Sequence, residues 1–297
     1  MKNILIIGAN GFTGRRILND LSVNPIYHVT GCSLRDDICP GKDYRFVRTD
    51  IRDENEVRKL FKECRPDIVI NTSALSVPDY CETHHAEAEA TNVTAVETIA
   101  HVCEQYGSRF IHLSTDFVFD GKSTRLYKEE DEAIPVNYYG VTKLKAEKII
   151  ASICSNYAIV RVVVVYGKAL PGQHGNILQL VANRLRNGET IRVVSDQWRT
   201  PTYVGDVSDG VLRLIEHTAN GIFHICGDEC MTIAEIAYQV ADYMKLDRSL
   251  IHPATTEKMN ESTPRPRFSG MSIDKARTML GYRPQKLKEI LANWDKL

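Results

Sequence analysis

Residues 1–14 constrain the fold more than any other part of the sequence. An apolar run at residues 4–7 leads directly into Gly8, Gly11 and Gly14 and then into a helix-like sequence. The run predicts a buried strand, and the glycines permit a tight turn and a close approach of the backbone to a ligand. The helix would present unpaired N–H groups and the positive end of its dipole to an anion. Because the glycines follow a strand and open a helix, they predict a site for the pyrophosphate of a dinucleotide. The predicted contacts come from Gly8, Asn10, Gly11, Phe12, Thr13 and Gly14.

The rest of the chain alternates short β-branched runs with longer helical patterns, which is typical of βαβ units and a parallel sheet. Strands are predicted at 3–7, 28–33, 45–49, 67–71, 109–114 and 158–165, and a crossover helix at 85–106. The rhythm becomes irregular after Gly167, with helices predicted at 177–187 and 232–244, strands at 190–194 and 221–225, and an ordered loop or lid at 255–266.

These elements predict an α/β fold: a doubly wound parallel sheet of the Rossmann type with a smaller C-terminal substrate-binding lobe. Residues 1–166 are expected to form the dinucleotide-binding domain, completed by strands within 190–226. Residues 167–297 are expected to form mainly the substrate-binding lobe.

The charge balance limits the expected partners. The 297 residues include 37 Lys and Arg against 38 Asp and Glu, a formal net charge of -1. No global basic field results, so we expect no nucleic acid or membrane partner, and an anionic ligand needs a local site. The first apolar run is too short for a signal peptide or a membrane span, which favours a cytoplasmic location. The eight cysteines lack the paired spacing of metal sites, so neither a metal nor a disulfide is predicted.

The end of the second predicted strand bears on the choice of cofactor. Ser33 and Arg35 stand where an acidic residue would bind the 2′-hydroxyl of NAD(H). Arg35, with help from Arg15 or Arg16, could instead bond a 2′-phosphate, so NADP(H) is favoured. Asp36 and Asp37 keep NAD(H) open, as does the alternative that Arg35 is a solvated loop cation. After the fourth strand, Ser73 and Ala74 lie beside the expected cofactor path.

A candidate catalytic group follows the fifth strand. Tyr139 and Lys143 are four residues apart, which places them on one face of a helix. A cation near a phenol stabilises its phenolate and makes the phenol a better proton donor. Thr115, at the end of the fifth strand, would place its hydroxyl at the carboxyl edge of the sheet, where open α/β sheets bind ligands. These three residues predict reduction of a carbonyl group with hydride from a nicotinamide.

Several further motifs carry a resemblance that spans nearly the whole chain. They are the sequence STDFVFDG at 114–121, the segment 127–131 leading through Pro135 and Asn137 to Tyr139-Gly140, the pairs Asp196-Gln197 and Pro201-Thr202, and the segment 265–271. With these motifs the chain resembles the extended short-chain dehydrogenases/reductases and, within them, the dTDP-4-dehydrorhamnose reductases.

The resemblance implies roles for individual residues. Thr115, Tyr139 and Lys143 become the catalytic residues, with Tyr139 and Lys143 also touching the cofactor, and Asp50 and Ile51 bracket its adenine. The implied substrate-binding residues are Val77, Asp79, Thr115, Asp116, Tyr139 and Arg265. The implied reaction is NADPH-dependent reduction of the 4-keto group of a nucleotide-linked 4-keto-6-deoxy sugar, first of all dTDP-4-dehydro-L-rhamnose to dTDP-L-rhamnose.

Two alternatives stay open. Residues 162–165 are four valines where the reductases usually carry Thr-Ser-Trp, so one wall of the substrate pocket differs. The same Tyr and Lys would also serve an epimerase or dehydratase of a nucleotide sugar. The motifs also resemble the regulatory beta subunit of methionine adenosyltransferase, which would make the chain a non-catalytic partner of another enzyme. Whether it forms a homodimer is left open.

Overall fold

A parallel sheet with helices on both faces forms the centre of the molecule. The computed structural model describes residues 1–41, 43–173 and 175–296. In chain order the strands are β1 (Lys2–Ile7), β2 (Tyr27–Ser33), β3 (Arg45–Arg48), β4 (Ile68–Asn71), β5 (Arg109–Thr115), β6 (Tyr157–Val162), β7 (Val165–Tyr166), β8 (Ile191–Val194), β9 (Trp198–Arg199), β10 (Thr202–Tyr203), β11 (Gly221–His224), β12 (Met231–Thr232) and β13 (Ile251–Ala254).

The helices connect these strands. In chain order they are α1 (Phe12–Ser22), α2 (Glu54–Cys64), α3 (Pro78–Thr83), α4 (His85–Glu89), α5 (Ala95–Tyr106), α6 (Tyr138–Ile153), α7 (Ile177–Arg186), α8 (Val204–Glu216), α9 (Ile233–Met244), α10 (Thr256–Met259), α11 (Asp274–Leu280) and α12 (Leu287–Ala292). A π-helical segment, Ala90–Thr94, joins α4 to α5, so the predicted helix 85–106 contains one wide turn.

The seven-stranded sheet has the order β11-β6-β5-β4-β1-β2-β3, and its neighbouring strands are parallel. The chain moves outward from β1 through β2 to β3, then returns to β4 on the other side of β1. The strand order therefore reverses between β1 and β4, and in such sheets ligands bind in the crevice at the carboxyl ends of these strands.

The side chains of β1 show why helices cover both faces. Ile4 and Ile6 belong to one buried cluster, which includes residues of α1, α8 and α11. Leu5 and Ile7 belong to another, which includes residues of α2, α5 and α6. Alternate residues of a strand point to opposite faces, so this apolar run requires an apolar layer on each side. The predicted doubly wound α/β fold is confirmed.

A smaller lobe has its own apolar cluster, formed by residues of α7, α9 and α12 with strands β8 and β13. The strand predicted at 190–194 pairs with β13 outside the main sheet, whereas the strand predicted at 221–225 joins the main sheet beside β6. The division of the chain after residue 166 stays a prediction. Within the described ranges, no helix is both long and apolar enough to cross a membrane.

The sixth strand is shorter than predicted. β6 ends at Val162, and Val164 takes a positive φ of 38° before β7 begins. This left-handed conformation turns the backbone out of the extended form and is rare for a β-branched residue. The predicted strand 158–165 is therefore interrupted at the point where it borders the cleft described next.

Candidate active site

A cleft of about 890 Å³ lies at the carboxyl edge of the main sheet. Among the predicted site residues, its walls include Gly8, Asn10, Gly11, Phe12, Thr13, Gly14, Arg35, Asp50, Ile51, Ser73, Ala74, Thr115, Asp116, Tyr139 and Lys143. The fold thus brings the glycine turn, the ends of five neighbouring strands and the start of α6 to one place.

The glycine turn at the start of α1 packs closely against itself and against the chain that follows β4. Gly8 has a φ of +83°, and a Cβ there would lie 2.7 Å from the Ser73 nitrogen. A Cβ on Gly14 would lie 2.3 Å from the Gly8 carbonyl oxygen. The first residue of α1 follows Gly11, which provides no side-chain cap, and the first turn carries no acidic residue. Its N–H groups are therefore available to an anion, which fits the pyrophosphate of a dinucleotide.

The three arginines considered for a 2′-phosphate differ in their surroundings. Arg15 is 2% exposed, and its guanidinium bonds Asp37, Asn10 and the Tyr44 hydroxyl. Arg16 bonds Asp20 and the Tyr203 hydroxyl. The guanidinium of Arg35 is exposed at the cleft and has no partner within the described part of the chain. Arg35 is therefore the cation that a 2′-phosphate could reach, while Arg15 and Arg16 support the protein itself.

Helix α6 brings Tyr139 and Lys143 to the cleft. The Asn137 side chain caps the helix by accepting a hydrogen bond of 2.9 Å from the Gly140 N–H. A Cβ on Gly140 would lie 2.1 Å from the Phe117 carbonyl oxygen, so this glycine lets α6 pack closely behind β5. Tyr139 is half-buried and Lys143 is 2% exposed. The helical spacing thus places the phenol of Tyr139 and the amine of Lys143 in one wall of the cleft.

The electrostatics of this group differ in part from the expectation. Burial raises the pKa of Tyr139, and a hydrogen bond with Thr115 opposes that rise. Burial lowers the pKa of Lys143 to about 8, and the carboxylate of Glu147 opposes that change. The sequence predicts that Lys143 makes the phenol more acidic, but burial raises the pKa of Tyr139, and the opposing effect comes from Thr115 and not from Lys143. A lysine with this pKa carries its proton only part of the time at neutral to mildly alkaline pH.

Two residues behind Lys143, His112 and Asn71, are not among the site residues predicted from the sequence. The Lys143 amine lies 2.9 Å from His112 Nε2 and 2.7 Å from the Leu113 carbonyl oxygen. His112 Nδ1 lies 3.2 Å from the amide nitrogen of Asn71. Both side chains are buried within strands β4 and β5. The available signal was a histidine in a buried strand, two residues before Ser114 and on the same face as that serine.

A buried ion pair lies one helical turn beyond Lys143. Glu147 Oε2 is 2.6 Å from Arg161 Nη2, and the same carboxylate accepts a hydrogen bond from Ser114. This pair joins α6 to the ends of β5 and β6, so it helps to fix the helix that carries Tyr139 and Lys143.

The predicted substrate residues fall into two groups. Asp116 lies in the cleft, bonded to Ser269 and 3.6 Å from the Arg199 guanidinium. Val77, Asp79 and Arg265 do not line the cleft as described. Val77 is exposed before α3, and Arg265 bonds Asp79 at 3.0 Å and Glu261. Their roles toward a substrate stay predictions.

Metal-binding side chains are not gathered at this site. Among the residues that the structure describes, no cluster of three or more His, Cys, Asp or Glu could hold a metal ion. The eight cysteines are free thiols.

Comparison with known proteins connects this geometry to a family. The family model of the RmlD substrate binding domain matches residues 1–295. The chain is 30% identical to a probable low-salt glycan biosynthesis reductase of Haloferax volcanii, over 97% of this chain and 95% of that protein. It is 33% identical to methionine adenosyltransferase 2 subunit beta of Xenopus laevis, over 89% of this chain and 78% of that protein.

A crystal structure provides the comparison in three dimensions. The dTDP-4-dehydrorhamnose reductase of Bacillus anthracis, in complex with NADP, is 25% identical and superposes with a TM-score of 0.88. The match covers 100% of this chain and 99% of that one. The similarity therefore includes both the sheet and the smaller lobe.

Proposed function

The chain belongs to the RmlD substrate binding domain family, and from that premise we propose that it reduces the 4-keto group of a nucleotide-linked 4-keto-6-deoxy sugar with NADPH. It is an NAD(P)-dependent oxidoreductase of this family. The observation that carries the finer proposal is the convergence of Thr115, Tyr139 and Lys143 on the cleft that contains the glycine turn. The first candidate reaction is dTDP-4-dehydro-L-rhamnose to dTDP-L-rhamnose.

The residues of the cleft divide the proposed reaction between them. The bound nicotinamide supplies a hydride. Tyr139 donates its phenolic proton to the carbonyl oxygen, which thereby becomes the hydroxyl of the product. Thr115 donates a hydrogen bond to the same oxygen and holds it beside the phenol. Lys143, in its charged form, stabilises the phenolate that Tyr139 leaves behind.

The cofactor proposal depends on charge at the end of β2. Arg35 is exposed at the cleft, whereas neither Asp36 nor Asp37 lines it and the Asp37 carboxylate is bonded to Arg15. A guanidinium recognises a phosphate through charge-assisted hydrogen bonds. This contrast supports NADP(H) over NAD(H), in line with the NADP bound to the Bacillus anthracis relative.

Turnover of defined substrates tests the proposal. Purified protein is mixed with NADPH and a panel of 4-keto nucleotide sugars that differ in base and sugar, and absorbance at the reduced nicotinamide band is followed. We expect stoichiometric loss of NADPH with a 4-keto-6-deoxy sugar. Conversion of a sugar without net loss of NADPH would instead identify an epimerase or dehydratase, which retains its cofactor. Absence of any conversion would remove the reductase proposal.

A regulatory role is the second candidate, favoured by the similarity to methionine adenosyltransferase 2 subunit beta. The valines at 162–165 give this wall of the cleft no side-chain hydrogen-bonding group for a sugar. The test is a pull-down of a methionine adenosyltransferase catalytic subunit from the source cell, followed by titration of the purified pair. Tight binding together with inactivity toward the whole sugar panel would favour the regulatory role.

A further inference from the structure

A buried polar row runs from the cleft wall to the catalytic lysine. It begins at Ser73, after β4, and continues through Asn71 and His112 to the amine of Lys143 on α6. Asn71 and His112 are each 0% exposed, and they stand side by side in the register of β4 and β5. Because the Asn71 and His112 side chains are closed to water, their hydrogen bonds must be made to other protein groups.

The orientation of the Asn71 amide is fixed at its cleft end. Ser73 bonds Asn71 Oδ1 twice, through its backbone N–H at 3.0 Å and its hydroxyl at 2.6 Å. A backbone N–H can only donate, so the atom that faces it must be the amide oxygen. The amide NH₂ group therefore points toward His112.

The proton position on His112 follows from the amide. The NH₂ group of Asn71 can only donate, so His112 Nδ1, at 3.2 Å, must accept and carries no proton. Burial, together with the neighbouring Lys143, lowers the pKa of His112 well below its ordinary value, so the ring is neutral. A neutral ring has one proton, and here that proton must lie on Nε2.

This proton faces the Lys143 amine at 2.9 Å. An ammonium group has no acceptor, so with a charged lysine two hydrogens would point at each other. An uncharged amine has a lone pair, accepts the hydrogen bond from Nε2 and donates one of its own hydrogens to the Leu113 carbonyl oxygen at 2.7 Å. The contacts along the row can therefore all be hydrogen bonds at the same time only when Lys143 is uncharged.

We propose that Asn71 and His112 are positioning residues that hold Lys143 as an uncharged amine in the cofactor-free protein at mildly alkaline pH, by donating a hydrogen bond to it through His112 Nε2. For Lys143 to gain a proton and keep this contact, the ring proton must move to Nδ1 and the Asn71 amide must turn away from Ser73. The charge of the lysine is thus coupled to a contact in the cofactor wall. The consequence for catalysis rests on the proposed function, but the proton positions do not.

The other charged groups around Lys143 are compatible with this state. On α6 itself, the Glu147 carboxylate is engaged by Arg161 of β6 and by Ser114 of β5. After β5, the Asp116 carboxylate faces Arg199 and Ser269. From α3, the buried Cys81 bonds the Leu75 carbonyl oxygen. Both carboxylates are thus shared with other partners. Glu147 raises the pKa of Lys143, but burial has the larger effect and lowers it.

The proton positions can be measured directly. Cofactor-free protein labelled with ¹⁵N-histidine is studied by long-range ¹H–¹⁵N correlation, and the His112 signals are assigned by their absence in His112→Gln. We expect one protonated nitrogen, Nε2, and an unprotonated Nδ1 at pH 9. A proton on Nδ1, or a doubly protonated ring, would overturn the proposal, because Lys143 would then face an acceptor or a second cation.

Variants test the coupling to Lys143. Asn71→Asp introduces a carboxylate that accepts from both Ser73 and the ring, so we expect the His112 proton to move to Nδ1. The titration of Lys143, followed through its ¹³Cε signal in labelled lysine, should then shift upward by at least about one unit, a tenfold change in its protonation equilibrium. His112→Gln can turn its amide oxygen to the ammonium and should shift the titration in the same direction. The exposed His101→Gln is the control and should change neither signal.

The proposal is rejected if Lys143 titrates at the same pH in both variants as in the wild type. This holds even if the variants lose activity, because a purely structural role would lower activity without moving a proton. The two proposals can also be separated. If the protein is an active reductase but His112 carries its proton on Nδ1, the proposed function is retained and the coupling is rejected. If the proton positions are as expected but the protein is inactive, the coupling is retained and only the sugar-reductase assignment is rejected.

Discussion

Arg265 donates a hydrogen bond to Asp79, with 3.0 Å between Nη2 and Oδ2, although 186 positions separate them in the chain. Ser262 bonds the other oxygen of the same carboxylate at 3.0 Å, and Glu261 bonds the other side of the guanidinium. The segment that carries Arg265 is thus attached to α3. Two residues that are predicted to contact the substrate thus contact each other in the structure.

The contact between Arg265 and Asp79 leads to two predictions, one variant with a higher KM for the sugar nucleotide and one with a lower KM. An ion pair as exposed as this one contributes about 0–1 kcal/mol, so a diphosphate could displace Asp79 from Arg265. Arg265→Ala should therefore raise the KM for the sugar nucleotide at least about tenfold. Asp79→Asn, which removes the competing charge, should lower the KM. Steady-state kinetics and the Kd for NADPH, which should stay unchanged, provide the measurements.

Arg267→Ala is the control for this pair, since Arg267 is exposed and bonded to Glu257. A KM that rises equally in Arg265→Ala and Asp79→Asn would show that the pair only holds the loop in place. A loss confined to Arg267→Ala would move the diphosphate site to that residue.

The phenolic hydroxyl of Tyr139 should be essential for turnover. Tyr139→Phe keeps the ring and removes the proton donor, so kcat should fall roughly 10²–10⁴-fold while NADPH binding changes little. Tyr138→Phe is the matched control, because the Tyr138 hydroxyl bonds Glu89 at 2.8 Å rather than facing the cleft. Comparable losses in the two variants would contradict the assigned role, as would a fully active Tyr139→Phe protein.

Arg35 should discriminate between the two nicotinamide cofactors. Arg35→Ala removes the charge expected to meet the 2′-phosphate and should weaken NADPH binding by about 1.5–3 kcal/mol, the range for a hydrogen bond to a charged group. NADH binding should hardly change. Arg45→Ala, at the start of the neighbouring strand β3 and bonded to Glu63, controls for the loss of one positive charge. Equal losses for NADPH and NADH, measured by fluorescence titration, would count against the assignment.

The sequence alone predicts those features of the fold and the site that depend on residues close together in the chain. The glycine turn, the strands of the main sheet, and the spacing of Tyr139 and Lys143 on one helix all follow from short-range periodicity. The pairing of Asn71 with His112 depends on the register between β4 and β5, which no local pattern contains. The contact between Arg265 and Asp79 likewise arises only when the smaller lobe folds back onto the first half of the chain.

The interruption after β6 is another feature that the sequence does not predict, and it depends on a single residue. Val162 to Val165 form a continuous apolar run, which predicts an unbroken strand. The chain instead turns at Val164, where β7 leaves the main sheet to pair with β10. Nothing in a row of valines indicates a left-handed residue, because valine disfavours that conformation.

The backbone at Val164 provides a stability prediction. A left-handed conformation costs a β-branched residue about 1–2 kcal/mol, whereas asparagine adopts it more readily. Val164→Asn should therefore keep or raise the free energy of unfolding, although it replaces a partly buried apolar side chain. Val162→Asn is the matched control, since Val162 is equally half-buried and lines the same cleft with extended backbone. Urea unfolding should rank Val164→Asn above Val162→Asn, and the reverse order would argue against strain at this turn.

Asp206 should give the protein a measurable pH dependence of stability. Its carboxylate is 4% exposed on α8 and accepts hydrogen bonds from the Gln285 backbone N–H at 2.9 Å and side chain at 3.2 Å. Burial raises its pKa from 3.8 to about 6, against the opposing effect of Gln285. Between these values the folded state binds the proton and the unfolded state does not. The contribution of Asp206 to stability is therefore present at low pH and is lost as the pH rises through about 6.

Asp206→Asn isolates this contribution, because its amide keeps an acceptor for the Gln285 N–H and does not titrate. The free energy of unfolding of the variant relative to the wild type should rise between about pH 4 and pH 6, by at most about 3 kcal/mol for a shift of about two units. Glu216→Gln, which removes an exposed carboxylate at the other end of the same helix, serves as the control. Urea unfolding at several pH values measures the difference. A difference that stays constant, or that falls as the pH rises, would show that the carboxylate is charged in the folded protein and that the Gln285 bonds outweigh its burial.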